Sequence, residues 1–143
     1  MSEPAHRREK IVTDFLDGIG NLDFERAGRH LADDAVMWLP FLDALPPTRG
    51  RAAIVAQLSS TIPQMFERMD FTHDAWYDVR DSETLIAEYH SESPLRRTSG
   101  VYRNRYITVF AFEGDEITLY KEYLNPVAMA DLIPPTDTMV DGV

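Results

Sequence analysis

Between residues 101 and 124 the chain sets one of its carboxylic acids, Glu122, among aromatic and neutral polar side chains. If residues 116–124 form a strand, alternation puts Tyr120, Glu122 and Leu124 on one face and Lys121 and Tyr123 on the other. If residues 101–112 form its neighbour, Tyr102, Asn104, Tyr106, Thr108, Phe110 and Phe112 share a face, and Arg103, Arg105, Ile107 and Val109 share the opposite one. The first set is aromatic and uncharged, so it is assigned to the interior. A carboxyl placed there leaves water, which raises its pKa. A base poised near neutrality can take a proton next to a carbonyl. Tyr106, Tyr102 and Asn104 could donate to the enolate oxygen that develops. The pattern nominates Glu122, Tyr106 and Asn104 for the chemistry. Trp38, Leu58, Thr61, Met65, Tyr102, Tyr120 and Leu124 are the expected pocket wall. The competing reading is a solvated or ion-paired strand Glu beside Lys121. The length of the hairpin turn decides whether the two faces coincide.

Other chemistries find less support. The chain has no cysteine, which removes disulfides, thiolate nucleophiles and cysteine-ligated metal. The histidines His6, His30, His73 and His90 show no metal-ligand spacing, and no metal or other cofactor is expected. His73 precedes Asp74 and His90 lies two residues from Glu88, so either could pair as acid and base if it faced inward. The glycines form no phosphate-binding loop, and no Ser or Thr stands in a nucleophile-elbow pattern. The formal net charge of −10 repels nucleic acid and disfavours an anionic membrane surface. Arg96-Arg97 with Arg103 and Arg105 is the basic cluster, read as pairing with carboxylates on a loop or the outer sheet face. No apolar run approaches the ~20 residues of a membrane span, and the first residues lack a signal-peptide core. A cytoplasmic protein is expected.

The elements that must hold Glu122 follow from periodicity. Residues 6–18 carry Ile11, Val12, Phe15 and Leu16 at helical spacing, with Gly18 and Gly20 as stops. A short helix over 24–31 is capped by Asn21 or Asp23, and Asp33-Asp34 breaks the pattern. Residues 35–39 read as a strand ending at Pro40, where Trp38 walls the pocket. Residues 41–49 form a loop suited to cover a pocket mouth. A third helix spans 52–66, with a kink or early stop near Ser60 because Pro63 lies inside it. Strands follow over 70–79, 84–93, 101–112 and 116–124, the last two joined at Gly114-Asp115. A short apolar turn over 127–133 precedes a mobile tail from about 134. Helices first and strands afterwards give an α+β domain over 1–143. The strands, joined by short turns, make an antiparallel sheet, and the helices on its bent face leave a cone-shaped interior.

This order resembles the nuclear transport factor 2-like superfamily over residues 10–129. The motifs that carry the likeness are residues 31–36 (Leu-Ala-Asp-Asp-Ala-Val), residues 49–54 (Arg-Gly-Arg-Ala-Ala-Ile) and the last hairpin, residues 106–126. The ending Lys121-Glu122-Tyr123-Leu124-Asn125-Pro126 is most similar to SnoaL-like polyketide cyclases and the phenazine-biosynthesis isomerase group. Limonene epoxide hydrolases carry a comparable acid on the last strand. In all three groups that acid points into the cone, and Glu122 stands at its position. The departures are equally specific. Where ketosteroid isomerases carry a Tyr and two Asp, this chain has Phe15, Leu39 and Thr108. Tyr89 and Ser91 replace the Arg-x-Asp pair of the epoxide hydrolases, and Met37 and Leu39 their water-holding Tyr and Asn. Gln57 and Thr61 replace the His and Ser of the phenazine group.

The resemblance implies an apolar small-molecule ligand and a homodimer through the outer sheet face, with Tyr123, Ile107 and Val109 in the interface. It leaves open an acid–base isomerase, cyclase or dehydratase, a non-catalytic binder using the same cone, and an interaction module.

Overall fold

The computed structural model describes residues 2–130 and Leu132. The elements run α1 (Glu3–Gly20), α2 (Phe24–Gly28), β1 (Leu31–Trp38), β2 (Thr48–Arg49), α3 (Arg51–Met65), β3 (Asp70–Asp78), β4 (Thr84–Pro94), β5 (Val101–Glu113), β6 (Glu116–Leu124) and α4 (Pro126–Ala130). The expected mobile tail lies outside the described residues.

α1 starts where Ser2 Oγ accepts from Ala5 N at 3.2 Å. Its buried stripe is Val12, Phe15, Leu16 and Ile19. The expected stop at Gly18 does not occur, and the helix continues through Gly20. The glycines serve close packing instead: a Cβ on Gly20 would stand 2.2 Å from the Met69 carbonyl oxygen. α2 is shorter than expected, because Leu31 already pairs with Ile117 and opens β1. Asp33 and Asp34 lie within that strand, where its register shifts between Leu31 and Val36 and leaves both exposed.

α3 runs to Met65 through Pro63, against the expectation of a stop near Ser60. Pro63 sits in the last turn, so it removes one donor opposite the exposed Ser59. Arg96 then closes the helix end: Nε donates to Pro63 O at 2.5 Å and Nη2 to Phe66 O at 2.9 Å.

The strands form a single sheet in the order β2-β1-β6-β5-β4-β3. It is not wholly antiparallel, because β1 runs parallel to β6. No hairpin joins those two strands, so no tight turn dictates their direction. Irregularities in β1, β3 and β6 bend the sheet around the helices. Gly114, at φ 62°, takes the first position of the β5–β6 turn without a Cβ penalty. The result is the expected α+β cone, with helices on the concave face of an unclosed sheet. Among the described residues no helix is long and apolar enough to cross a membrane.

Candidate active site

The β5–β6 hairpin settles the register that sequence left open. Tyr106 faces Leu124, Thr108 faces Glu122 and Phe110 faces Tyr120 across the ladder. All six of these side chains are buried. Glu122 therefore points into the cone and is only 7% exposed.

Tyr89 donates to Glu122 Oε2 at 2.6 Å, and Tyr120 donates to the same oxygen at 3.3 Å. Among the described residues Oε1 carries no hydrogen bond, so it is the oxygen left for a ligand. Among the described residues no Lys, Arg or His lines the pocket with Glu122. Burial raises the carboxyl to a pKa of about 7, and the two phenols pull in the other direction without cancelling it. The neighbouring phenols of Tyr89 and Tyr120 are pushed far above the ordinary tyrosine value, mainly by burial, so they stay protonated donors.

The pocket has a volume of about 260 Å³. The sheet supplies Met37, Tyr106, Tyr120, Glu122 and Leu124 to it, and α3 supplies Gln57, Leu58, Thr61, Ile62 and Met65. Leu39, Leu42 and Leu45 from the loop and Met129 and Leu132 from the chain's later part complete the apolar wall. Leu42 and Leu45 of the loop over residues 41–49 thus line the pocket. A shallower groove on the outer sheet face, beside Ile107, Arg105 and Tyr123, contains no buried acid.

Of the expected wall, Leu58, Thr61, Met65, Tyr102, Tyr120 and Leu124 line the pocket, as does Tyr106. Trp38 does not. Alternation along β1 turns Met37 inward and leaves Trp38 38% exposed, under the ammonium of Lys121. Asn104 is buried but bonds elsewhere. Its Oδ1 accepts from Asn125 N at 2.9 Å and its Nδ2 donates to Asn125 O at 3.1 Å. The side-chain amide thus extends the β5–β6 ladder past Leu124, and it also donates to Tyr102. Asn104 is not a pocket donor. Tyr106 pairs its hydroxyl with Ser91 at 2.7 Å.

Tyr89 is the residue that sequence reasoning missed. The signal was present: Leu85, Ala87, Tyr89, Ser91 and Ser93 alternate as the buried face of β4. The same alternation turns His90 outward, where its Nδ1 lies 2.8 Å from Asp74. Arg103 pairs with Glu92 at 3.3 Å on the outer face. Among the described residues no His, Asp and Glu group is arranged to hold a metal.

The family model for the SnoaL-like domain matches residues 12–120. The chain belongs to the SnoaL-like family. This SnoaL-like chain is 30% identical over 101 residues to YesE of Bacillus subtilis (strain 168), itself uncharacterised, covering 69% of this chain and 68% of YesE. Its fold is shared with a provisionally named isomerase of Bacillus subtilis, at 23% identity and a TM-score of 0.83, over 92% of this chain and 95% of the other. It is shared as well with a phenazine biosynthesis-related protein of Pseudomonas aeruginosa, at 16% identity and a TM-score of 0.77, over 92% and 89% of the two chains. At such identities the likeness concerns the SnoaL-like fold alone.

Proposed function

We propose that this protein performs cofactor-free acid–base chemistry on a neutral, apolar carbonyl compound, with Glu122 as the base. The observation that carries the reading is a buried carboxyl with no cationic partner among the described residues, in a pocket walled by apolar and neutral polar side chains. Glu122 Oε1 takes a proton from the carbon next to the carbonyl. The electron pair moves into the enolate, whose oxygen accepts from Tyr106. Return of the proton to another carbon completes an isomerisation; attack of the enolate on a second electrophilic carbon completes a cyclisation. A dehydration of the same kind needs Glu122 to give its proton to the departing hydroxyl. A carboxyl with a pKa of about 7 is populated in both forms at neutral pH, which suits alternate uptake and release.

The test uses 2-tetralone, a compact ketone with acidic α-protons, in deuterated buffer. The protein should accelerate loss of the α-proton NMR signal, and Glu122→Gln should return it to the buffer rate. Exchange that is accelerated equally by Glu122→Gln would remove Glu122 as the base.

A second reading has its own support. Among the described residues the pocket surrounds Glu122 with phenols but with no further acid, as suits a non-catalytic binder that holds a ligand hydroxyl on Oε1. Saturable binding of a neutral phenol, without proton exchange on any ketone tried, would favour it. Either reading is compatible with a cytoplasmic protein that pairs through its outer sheet face, where Ile107 and Tyr123 lie.

A further inference from the structure

Gln57 brings a polar group to the helical wall of the same pocket, facing the sheet that carries Glu122. Its Oε1 accepts from Thr48 Oγ1 at 2.5 Å. In this contact the hydroxyl is the donor and the amide oxygen the acceptor. Nε2, with two donors, is turned the other way and meets no acceptor among the described residues. Thr48 is itself fixed, because β2 pairs it with Met37 at the sheet edge. The nearby hydroxyl of Thr61 is engaged with the Gln57 backbone carbonyl at 2.8 Å, which leaves the Gln57 amide as the available donor of this wall.

The lining also says what this donor meets. With no Lys, Arg or His around it among the described residues, a carboxylate or phosphate on the ligand would lie unpaired beside Glu122. A neutral carbonyl or ether oxygen needs only an amide N–H. At about 260 Å³ the pocket falls just below the ~300 Å³ lower end of ordinary small-molecule sites, so the ligand is compact.

We propose that Gln57, held by Thr48, is a second polar anchor, and that the ligand is a neutral compound of about two rings with an oxygen function at each end. One end addresses Glu122 Oε1, and the other offers an acceptor to Gln57 Nε2. The proposal rests on the pocket being a ligand site and does not require Glu122 to act as a base.

The experiment is a fluorescence titration of the full chain with two naphthols of matched shape. 6-Methoxy-2-naphthol carries a distal acceptor, and 6-ethyl-2-naphthol does not. The wild type should prefer the methoxy compound by about fivefold, the worth of one neutral hydrogen bond. Gln57→Leu should erase the preference while still binding both compounds, and Thr48→Val should weaken it. An equal preference in wild type and Gln57→Leu overturns the anchor alone. No saturable binding of either naphthol overturns the pocket as a ligand site and the anchor with it. If Gln57→Leu fails to fold, Thr48→Val decides: an undiminished preference in that variant overturns the anchor.

Discussion

The Tyr89 hydroxyl lies 2.6 Å from Glu122 Oε2 and 2.7 Å from Thr108 Oγ1, and all three groups are buried. A phenol has one proton. With Glu122 ionised, Tyr89 gives that proton to the carboxylate, so Thr108 must donate to Tyr89. The chain Thr108 to Tyr89 to Glu122 is therefore directional. It favours the charged form of Glu122 and occupies Oε2.

Tyr89→Phe should raise the Glu122 pKa further, by on the order of one unit, because burial then acts with less opposition. The carboxyl signal of labelled Glu122, followed by NMR against pH, reads the midpoint directly. The orphaned Thr108 hydroxyl should add a loss of about 1–3 kcal/mol in urea unfolding. An unmoved or lowered midpoint would contradict the directional chain.

Glu122 should also shape the pH dependence of stability. Its folded pKa of about 7 lies above the ordinary 4.5. The unfolded chain therefore releases this proton more readily, and stability falls as pH rises. The contribution is fully present below 4.5 and lost as pH passes through about 7. The loss is about 3 kcal/mol at its full extent. Glu122→Gln has no proton to release at this position, so the urea midpoint of the wild type should fall relative to that of Glu122→Gln across this window. Parallel profiles for the two proteins would show that Glu122 titrates normally.

Met37 and Trp38 are neighbours in sequence with opposite fates in β1. Met37→Ala should cost about 2–5 kcal/mol and weaken naphthol binding, since it opens a buried wall. Trp38→Ala should leave naphthol affinity within twofold, because the ring lies outside under Lys121. A larger loss of affinity from Trp38→Ala than from Met37→Ala would place the pocket on the other face.

Arg96→Ala should fray the end of α3. Its guanidinium holds the carbonyls of Pro63 and Phe66, and Met65 and Phe66 line the pocket. Hydrogen exchange should quicken at the Phe66 amide, whose bond to Ile62 O is 3.0 Å long. A stability loss of about 1–3 kcal/mol is expected. Arg96→Lys should recover little, since a single ammonium cannot copy the planar fork. Full recovery by lysine would show that charge alone matters.

Alternation made Glu122 legible: Tyr120, Glu122 and Leu124 must share a face, whatever the fold. The missing cysteines, the acidic charge and the helix-then-strand order were equally fixed by residue type and period. Tyr89 and Asn104 show where that reasoning ends. Strand alternation says that each points inward, but not which polar atom each one meets. Asn104 turned to the backbone of Asn125, because β6 ends beside it and a side-chain amide can continue the ladder. Tyr89 reached Glu122 across the intervening β5, because the bent sheet carries strands β4 and β6 around toward each other. Pro63 and the glycines of α1 had local meanings that packing overrode. Period and composition act within a few residues, whereas hydrogen-bond partners are chosen between residues such as Tyr89 and Glu122, which are brought together only after the sheet has curved.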